Sequence, residues 1–315
     1  MFLHKALMAT GLLTALAHAA PSPRTRAAGG KLTIYWGAED DNTSLDSVCS
    51  DDAYDIVNLA FLNYFHADGG YPSIAMSGLY DTTEAQRQAG ATGLKDGGPI
   101  VPAIQKCQQN GKLVILSMGG ANDYADVTLA DDADGEAIAD KVWNLFLGGQ
   151  SDLRPFGDVK LDGVDLDNES GNPTGYLAMV KRLRSHINSD SSKKYYLTAA
   201  PQCPFPDASQ PLDVCQELDY VWVQFYNNGQ CNIAQSGFNE AVRNWSEGIG
   251  NAKLFIGGLA SGADGDQGYV DSGTFINALQ GVQGMNLPNY GGAMLWEAQL
   301  SVQNGNYHKQ IRGSV

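Results

Sequence analysis

Eight short runs of apolar residues are spread along the chain, and segments with helical periodicity separate them. Most of these runs are apolar at nearly every position, which is typical of strands in a parallel sheet that is buried on both faces. The runs cover residues 31–36, 56–61, 113–117, 159–166, 195–199, 220–226, 254–258 and 293–296. Eight alternations of strand and helix predict an α/β fold, a single closed (β/α)8 TIM barrel.

The segments between the runs place apolar residues on one face of a helix. Four such stripes are formed by Ile138, Val142, Leu145 and Phe146, by Tyr176, Met179, Val180 and Leu183, by Phe238, Val242 and Trp245, and by Phe275, Leu279 and Val282. Ser236 and Ser272 are predicted N-caps of the last two helices. The alternative fold is a doubly wound open sheet, which usually has a glycine-rich phosphate-binding turn after its first strand. Residues 36–40 (WGAED) do not form such a turn.

The first 30 residues have the pattern of a targeting region. A short positive start precedes an apolar run, and the small-x-small site Ala-His-Ala follows it. Residues 1–19 are therefore predicted to be a secretory signal peptide, and residues 20–30 a spacer or short pro-segment. No boundary is visible within residues 31–315, which are predicted to form one barrel, with residues 63–98 as a long loop after the second strand.

The formal net charge of the chain is −15. Such an acidic chain does not favour nucleic acid or an acidic polymer as a partner, whereas it is compatible with a neutral substrate. No stretch beyond the leader is long and apolar enough to span a membrane. We therefore expect a secreted, extracellular monomer, and association with a cell wall is left open.

Five cysteines are present, and secretion makes disulfide bonds plausible. Four of the five can pair and one is left over: they are Cys49, Cys107, Cys203, Cys215 and Cys231. The chain has no CxxC motif and no cluster of Cys with His. We therefore expect no metal site and no cofactor.

The fourth run ends in a row of acids, Asp165, Asp167 and Glu169. Residues two apart on a strand point to one face, with Cβ atoms roughly 6–7 Å apart. Three acids this close repel one another, so at least one is expected to keep its proton at neutral pH, as a general acid must. The alternatives are a calcium site or a solvated acidic turn, but the alternation of the acids with Val164 and Leu166 favours a strand.

Active sites of (β/α)8 barrels lie at the C-terminal ends of the strands. That rule brings polar and aromatic residues from several runs to one mouth: Tyr35, Trp36, Phe61, Ser117, Gly119, Gly120, Asp165, Asp167, Glu169, Gln224, Tyr226, Asn227 and Trp296. Aromatic faces stack on pyranose rings and acids cleave glycosidic bonds, so this set predicts a site for a sugar. Taken singly, Tyr35 or Phe61 fits core packing equally well.

Residues 162–169 (DGVDLDNE) resemble the DGxDxDxE signature of glycoside hydrolase family 18, and residues 116–120 (LSMGG) resemble the SxGG motif of that family. Further segments are similar to plant class III, hevamine-type and short fungal endochitinases: residues 34–37, 57–62, 198–207, 223–228 and 294–296. The resemblance covers the chain from residue 31 to the C-terminus. It implies a secreted endochitinase that hydrolyses internal β-1,4 links between N-acetylglucosamine units of chitin or chito-oligosaccharides.

The resemblance also implies a retaining, substrate-assisted mechanism, in which the N-acetyl group of the sugar replaces a protein nucleophile. Glu169 would protonate the glycosidic oxygen and then activate water. Asp167 would orient the acetamide and stabilise the oxazolinium ion, and Asp165 would share a proton with Asp167. Tyr226 would donate its hydroxyl to the acetamide carbonyl, and Trp296 would form the floor under the sugar.

Other roles are implied by the same resemblance. The cleft would be lined by Tyr35, Phe61, Gly120, Gln224 and Asn227. Disulfides would join Cys49 with Cys107 and Cys203 with Cys231, and Cys215, for which the family offers no counterpart, is expected to be a buried free thiol. Asp162 lies on the opposite strand parity from the three acids and is expected to be structural.

Asn168 stands where the family usually has an apolar or aromatic residue. By parity it points to the barrel wall, where its amide needs partners. It also begins the glycosylation sequon Asn-Glu-Ser, which is predicted to be unused because a glycan there would lie beside Glu169. The sequons at Asn42 and Asn244 are better acceptors.

Two other functions are compatible with much of this pattern. An endo-β-N-acetylglucosaminidase acting on N-glycans would share the acids and the oxazolinium chemistry. A non-catalytic chitin-binding lectin or an inhibitor would keep the barrel but typically lose one of the acids or the tyrosine, whereas all four residues are present here.

Overall fold

The computed structural model describes residues 29–38, 42–263 and 265–315. The predicted signal peptide and most of the predicted spacer lie outside these residues, so both stay predictions. Within the described residues, no helix has the length and apolar character needed to cross a membrane.

The described residues contain one nine-stranded sheet, of which eight strands run parallel and form a barrel. The strands are β1 (Lys31–Trp36), β2 (Ile56–Tyr64), β3 (Ser73–Ile74), β4 (Leu113–Gly120), β5 (Gly163–Asn168), β6 (Tyr196–Ala199), β7 (Tyr220–Gln224), β8 (Lys253–Leu259) and β9 (Tyr290–Trp296). The barrel closes because β1 pairs with both β2 and β9. This closure confirms the (β/α)8 prediction and excludes the open doubly wound sheet.

Helices surround the barrel on its outer face. Those of the described residues are α1 (Leu45–Ser50), α2 (Glu84–Gln88), α3 (Val101–Gln109), α4 (Asp132–Phe146), α5 (Tyr176–Ser189), α6 (Leu212–Cys215), α7 (Phe238–Gly248), α8 (Ser272–Gly284), α9 (Ala298–Gln303) and α10 (Tyr307–Ile311), with 3₁₀ turns at Asp68–Gly70, Gly98–Ile100 and Arg312–Ser314. Every member of the four predicted apolar stripes is buried, in α4, α5, α7 and α8. The predicted loop at 63–98 contains the end of β2, the short strand β3 and helix α2.

The two predicted N-caps were wrong by one residue each. Helix α7 begins after Gly237, which makes no side-chain cap bond. Helix α8 is capped by Asp271, whose carboxylate accepts the N–H of Thr274 at 3.1 Å. A carboxylate is a cap as good as a serine hydroxyl, so the neighbouring Ser272 is free to become the first helical residue.

The core has two layers. The outer layer lies between the strands and the helices and takes the wall-facing side chains of every barrel strand. The inner layer fills the barrel itself, with Tyr35, Ile56, Ala60, Ile115, Ala200, Trp222, Tyr226, Phe255, Leu259 and Met294. Because the interior is packed, a ligand can be accommodated only at the rim.

The sequence predicted that the strand carrying the acids begins at Val159. In the structure, β5 begins at Gly163. The chain turns at Gly157, whose φ is +55°, and residues 159–162 lie outside the strand. The side chain of Asp162 adds a hydrogen bond between the starts of β4 and β5, because its Oδ2 accepts the N–H of Val114 at 2.8 Å. A Cβ at Gly163 would collide with the backbone oxygen of Tyr196, so only glycine fits where β5 meets β6.

The same arrangement recurs at the N-terminal ends of other strands. Asp55, Asp162 and Asp219 each precede a strand and each accept the N–H of the second residue of a neighbouring strand, at 2.8–2.9 Å, from Leu32, Val114 and Leu197 respectively. Asp162 also binds Lys193 at 2.9 Å. The structural role expected for Asp162 from its strand parity is therefore confirmed.

Two disulfides link the outer segments, with the predicted pairing. Cys49–Cys107 joins α1 to α3, and Cys203–Cys231 joins the loop after β6 to the loop after β7. Cys215 is free and buried in α6, as expected, and burial raises the pKa of its thiol. A thiol held in its neutral form is a poor nucleophile, so Cys215 is an inert packing residue.

Candidate active site

Strand β5 carries the acids to the mouth of the barrel. Asp165 and Asp167 lie on β5, and Glu169 is the first residue beyond its end. Val164 and Leu166, which alternate with the acids, pack in the outer layer of the core. The three acids therefore share the inward face, as their spacing predicted.

Asp165 lies deepest and is fully buried. Its Oδ2 accepts the hydroxyls of Tyr35 at 2.7 Å and Ser117 at 2.8 Å, and its Oδ1 accepts the hydroxyl of Thr198 at 2.8 Å. Burial raises the pKa of Asp165 to about 6, and these hydroxyl donors limit the rise because they stabilise the charged form. Near neutral pH, Asp165 can therefore gain or lose a proton.

Tyr35 lies under the cleft surface, with only 1% of its surface exposed. Its hydroxyl donates to Asp165 and accepts the indole N–H of Trp222 at 2.9 Å. The resemblance implied that Tyr35 lines the cleft, and in the structure its hydroxyl is occupied by Asp165. Trp222 was missed by the sequence reasoning, because an inward tryptophan in an apolar run has no signal that separates it from core.

One side-chain amide joins the other two acids. The Nε2 of Gln224 lies 3.0 Å from Oδ1 of Asp167, 3.2 Å from Oε1 of Glu169 and 3.0 Å from the backbone oxygen of Ala200. Gln224 is buried at the end of β7. The Gln224 amide therefore holds the carboxyl groups of Asp167 and Glu169 close to each other at the end of the barrel.

The electrostatics of the trio favour protonation. Burial raises the pKa of Asp167 well above its usual range, and the negative charges of Glu169 and Asp165 raise it further. The pKa of Glu169 is also raised, first by burial and then by the charges of Asp207 and Asp266. Within the described residues, no Lys or Arg forms an ion pair with any of the three acids. The cluster therefore holds at least one proton at neutral pH.

Two glycines at the end of β4 leave room for the backbone of Asp167 and for the ring of Phe61. Gly119 pairs with Asp167 across the sheet, and a Cβ at Gly119 would collide with the backbone oxygen of Asp167. Gly120 has a φ of +101°, and a Cβ there would lie 3.1 Å from the ring of Phe61. Both glycines of the SxGG pattern are thus required by close approach of the backbone to its neighbours.

Aromatic rings form the floor of the cleft. The rings of Phe61 and Trp296 stack with centroids 5.8 Å apart, and the ring of Tyr35 lies 5.5 Å from that of Trp296. Phe61 follows a cis peptide bond and Trp296 precedes one. Both side chains remain partly exposed, so an apolar surface borders the acids. Such a surface suits the apolar face of a pyranose ring.

Tyr226 and Asn227 follow β7 but serve different surfaces. Tyr226 is 5% exposed and belongs to the inner core layer against which Trp296 packs. Asn227 has a φ of +58°, donates to Asp266 at 2.9 Å and accepts the N–H of Gln267 at 2.8 Å. The side chain of Asn227, which the resemblance placed in the cleft lining, therefore fastens the loop after β8.

Further residues around Glu169 were missed by the sequence reasoning. Asn122 donates its side-chain amide to the backbone oxygen of Glu169 at 2.7 Å. Asp207 accepts the N–H groups of Gln202, Ser209 and Gln210, at 3.3, 2.8 and 2.8 Å respectively. These bonds close the loop after β6 beside the acid. They depend on where two loops meet, which residue spacing does not reveal.

Asn168 points to the barrel wall, as its parity predicted. Its Nδ2 donates to the backbone oxygens of Asn172 at 2.9 Å and Ser209 at 3.2 Å, and its Oδ1 accepts the hydroxyl of Ser170 at 2.7 Å. With 2% of its surface exposed, the amide is not accessible to a glycosyl donor. This supports the prediction that the sequon at Asn168 is unused.

No group of three or more His, Cys, Asp or Glu in the described part of the chain has the geometry to hold a metal ion. What the site offers is a proton-holding carboxyl cluster beside an aromatic floor. That combination suits cleavage of a glycosidic bond with acid assistance.

Comparisons with known proteins agree with this chemistry. The chain is 61% identical over 318 residues to "Endochitinase 3" of Metarhizium robertsii, and the match covers 100% of both. It superposes on a chitinase from Ipomoea carnea with a TM-score of 0.78 and 31% identity, covering 91% of this chain and 100% of that one.

A xylanase and α-amylase inhibitor protein from Scadoxus multiflorus also matches, with a TM-score of 0.77 and 28% identity, covering 90% of this chain and 98% of that one. This barrel therefore also occurs in an inhibitor protein, and family membership has to be taken from the sequence match. The family model described as "Glycosyl hydrolases family 18" matches residues 31–264. The chain belongs to that family.

Proposed function

We propose that this protein is a secreted endochitinase that hydrolyses internal β-1,4 links between N-acetylglucosamine units. The observation that carries the proposal is the row of Asp165, Asp167 and Glu169, which lacks a cationic partner in the described residues and ends beside an aromatic floor. The 61% identity to an endochitinase over the full chain assigns the substrate class.

Glu169 is the general acid of the proposed reaction. Its raised pKa favours the protonated carboxyl, which can donate to the glycosidic oxygen as the bond to the anomeric carbon breaks. The resulting carboxylate then takes a proton from the water that attacks the anomeric carbon. Gln224 and the backbone contact to Asn122 hold Glu169 in place through both steps.

Asp167 serves the acetamide of the substrate. The acetamide oxygen attacks the anomeric carbon from the face opposite the leaving group, and the nitrogen becomes positive in the oxazolinium ion. A carboxyl group beside that nitrogen stabilises the charge when it is ionised. Asp165, with a pKa of about 6, is suited to take the proton that Asp167 gives up.

Tyr226, Trp296 and Phe61 position the sugar in this scheme. The hydroxyl of Tyr226 donates to the acetamide oxygen and fixes it in line with the anomeric carbon. Phe61 and Trp296 carry the apolar face of the ring on their stacked surface. Tyr35 acts from beneath by holding Asp165.

Secretion and a monomeric state complete the proposal. Two disulfides support an oxidising compartment, since such bonds are rare in the cytosol. The net charge of −15 suits a neutral polymer as substrate.

A time course of products from a chitin hexamer, with analysis of the anomers, tests this function. We expect internal cuts and β-anomers at the new reducing ends, because two displacements at the same carbon retain the configuration. Release of α-anomers would contradict the mechanism. No cleavage of the hexamer, with cleavage of a glycoprotein N-glycan core, would assign the endo-β-N-acetylglucosaminidase activity instead. Failure to cleave either would favour a lectin or an inhibitor.

A further inference from the structure

Few large apolar side chains of the described residues are strongly exposed, and two of them lie beside the active site. Tyr124 has 77% and Tyr64 40% of its surface exposed; the other two are Tyr80 and Val302. Single exposed aromatics are common on protein surfaces and carry no meaning by themselves. What matters here is the position of Tyr64 and Tyr124 at the C-terminal rim of the barrel.

The backbone ties the two tyrosines to each other. Tyr64 ends β2 and forms a bridge with Asp126, and the N–H of Asp126 donates to the oxygen of Asn63 at 2.8 Å. The N–H of Phe65 donates to the oxygen of Asp126 at 3.1 Å, and the side chain of Asn63 donates to the backbone oxygen of Tyr124 at 3.4 Å. The segments that carry the two rings are therefore held together.

The same two segments border the catalytic acid and the aromatic floor. Asn122, two residues before Tyr124, donates to the backbone oxygen of Glu169. Phe61, three residues before Tyr64, forms the floor with Trp296. Short stretches of chain therefore connect Tyr64 to the aromatic floor and Tyr124 to the residue that contacts Glu169.

This arrangement suits a neutral, extended sugar chain. The rim segments are held by backbone bonds, so binding on them would cost little ordering entropy. A tyrosine ring offers an apolar face and needs no charge on the ligand. The carboxylate of Asp126 accepts the hydroxyl and the N–H of Thr128, at 2.6 and 3.1 Å. Its charge is thus stabilised without a cation on the ligand.

We propose that Tyr64 and Tyr124 form an outer sugar-binding subsite, which stacks on an N-acetylglucosamine unit of the chitin chain beyond the sugars at the cleaved bond. This inference rests on the proposed function for the identity of the sugar. It makes the two tyrosines determinants of substrate length, because only a chain long enough to reach the rim gains the contact.

The test compares substrates of two lengths. The variants are Tyr124→Ala, Tyr64→Ala and Tyr124→Phe, with Tyr80→Ala as a matched control. Tyr80 is also exposed, but it forms a bridge with Asp96, and the neighbouring Gly97 bonds to Pro155 in the segment that precedes β5. The ratio of kcat/KM for the hexamer over the trimer should fall about three- to tenfold in each alanine variant of the rim.

Tyr124→Phe should keep the wild-type ratio, since stacking needs the ring and not the hydroxyl, and Tyr80→Ala should also keep it. An equal loss on both lengths, or no loss on either, would overturn the subsite. Melting temperatures near that of the wild type would establish that the variants are folded.

Calorimetric binding of the hexamer to Glu169→Gln, with and without Tyr124→Ala, separates this inference from the proposed function. A three- to tenfold weaker Kd in the double variant supports the subsite, even if the wild type fails to cleave the hexamer. An unchanged Kd, with the wild type cleaving the hexamer normally, overturns the subsite and leaves the function intact.

Discussion

The two ends of the barrel surround the carboxylates at the strand ends with different partners. At the N-terminal ends of the strands, each carboxylate has a cation: Asp55 with Arg312 at 3.0 Å, Asp162 with Lys193 at 2.9 Å, and Asp219 with Arg184 at 3.0 Å. At the C-terminal end, Asp165, Asp167 and Glu169 receive only hydroxyl and amide donors within the described residues.

This difference separates groups that stabilise the fold from groups that we propose to perform chemistry. A carboxylate that binds both a cation and a backbone N–H ties one strand to the next. A carboxylate buried without a cation has a raised pKa, so it costs stability but can carry a proton at neutral pH. Substitutions at one end should therefore change stability, and substitutions at the other should change activity.

Glu169→Gln should produce the largest effect, a loss of about 10²–10⁴-fold in kcat/KM on chitin hexamer. The amide has nearly the shape of the acid and can still bond to Gln224, but it cannot donate a proton to the leaving oxygen. Steady-state kinetics measure the loss of activity, and a melting curve measures any change in stability. The matched control is Glu247→Gln, on the exposed face of α7, which should keep wild-type activity. Near-normal activity of Glu169→Gln would remove Glu169 from its role.

The sequence predicted the fold and the acid row better than the contacts around the acids. The closed barrel could be predicted because eight apolar runs alternate with helical segments and no glycine-rich phosphate-binding turn follows the first run. The acid row could be predicted because strand parity fixes the direction of the side chains. Trp222, Asn122 and Asp207 could not be predicted, since each acts through a contact between segments far apart in the chain. Asn227 was assigned by its position in a motif, while its side chain is occupied by a second loop.

Asp162→Asn should lower the free energy of unfolding by about 1–3 kcal/mol, because it breaks the ion pair with Lys193 and weakens the bond to the N–H of Val114. Chemical denaturation measures this change, and kcat on chitin hexamer should stay at the wild-type value. Asp140→Asn provides the surface comparison: its pair with Arg182 is about two-fifths exposed, and its loss should cost at most about 1 kcal/mol. A larger effect at Asp140 than at Asp162 would contradict the division between buried and surface pairs.

His308 adds a pH dependence at the N-terminal end. It is buried, its Nδ1 lies 2.8 Å from Oγ of Ser301, and its Nε2 lies 3.2 Å from Asp51. Burial lowers the pKa of His308 below 6.5, so the unfolded chain takes up this proton at a higher pH than the folded chain. The contribution of His308 to stability is therefore present above pH 6.5 and is lost as the pH falls below that value, by at most about 1.4 kcal/mol per pH unit.

Denaturation of the wild type and of His308→Gln between pH 7.5 and 5 measures this dependence. The wild-type curve should fall more steeply with acid than the curve of the variant. Parallel curves would mean that His308 does not contribute.

The smallest effect is expected from Asp207→Asn, at the active-site end. The charge of Asp207 helps to raise the pKa of Glu169, so its removal should move the basic limb of the kcat/KM profile to lower pH. The shift should be less than about one pH unit, because burial is the larger cause. Asp213→Asn, in the following helix α6, is the control and should leave the limb in place. A limb that moves to higher pH would contradict the prediction that the charge of Asp207 raises the pKa of Glu169.

The central claim is that Asp167 serves an N-acetyl group and that no protein carboxylate attacks the sugar. The most direct test compares the hydrolysis of a fully acetylated chitin hexamer with that of the fully deacetylated hexamer. The deacetylated chain is cationic and should be attracted to the acidic mouth, so weak binding does not explain a loss of rate. We predict that cleavage of the deacetylated hexamer falls at least about 10³-fold. Comparable rates on the two hexamers would contradict substrate assistance and would mean that a protein carboxylate or water attacks the sugar directly.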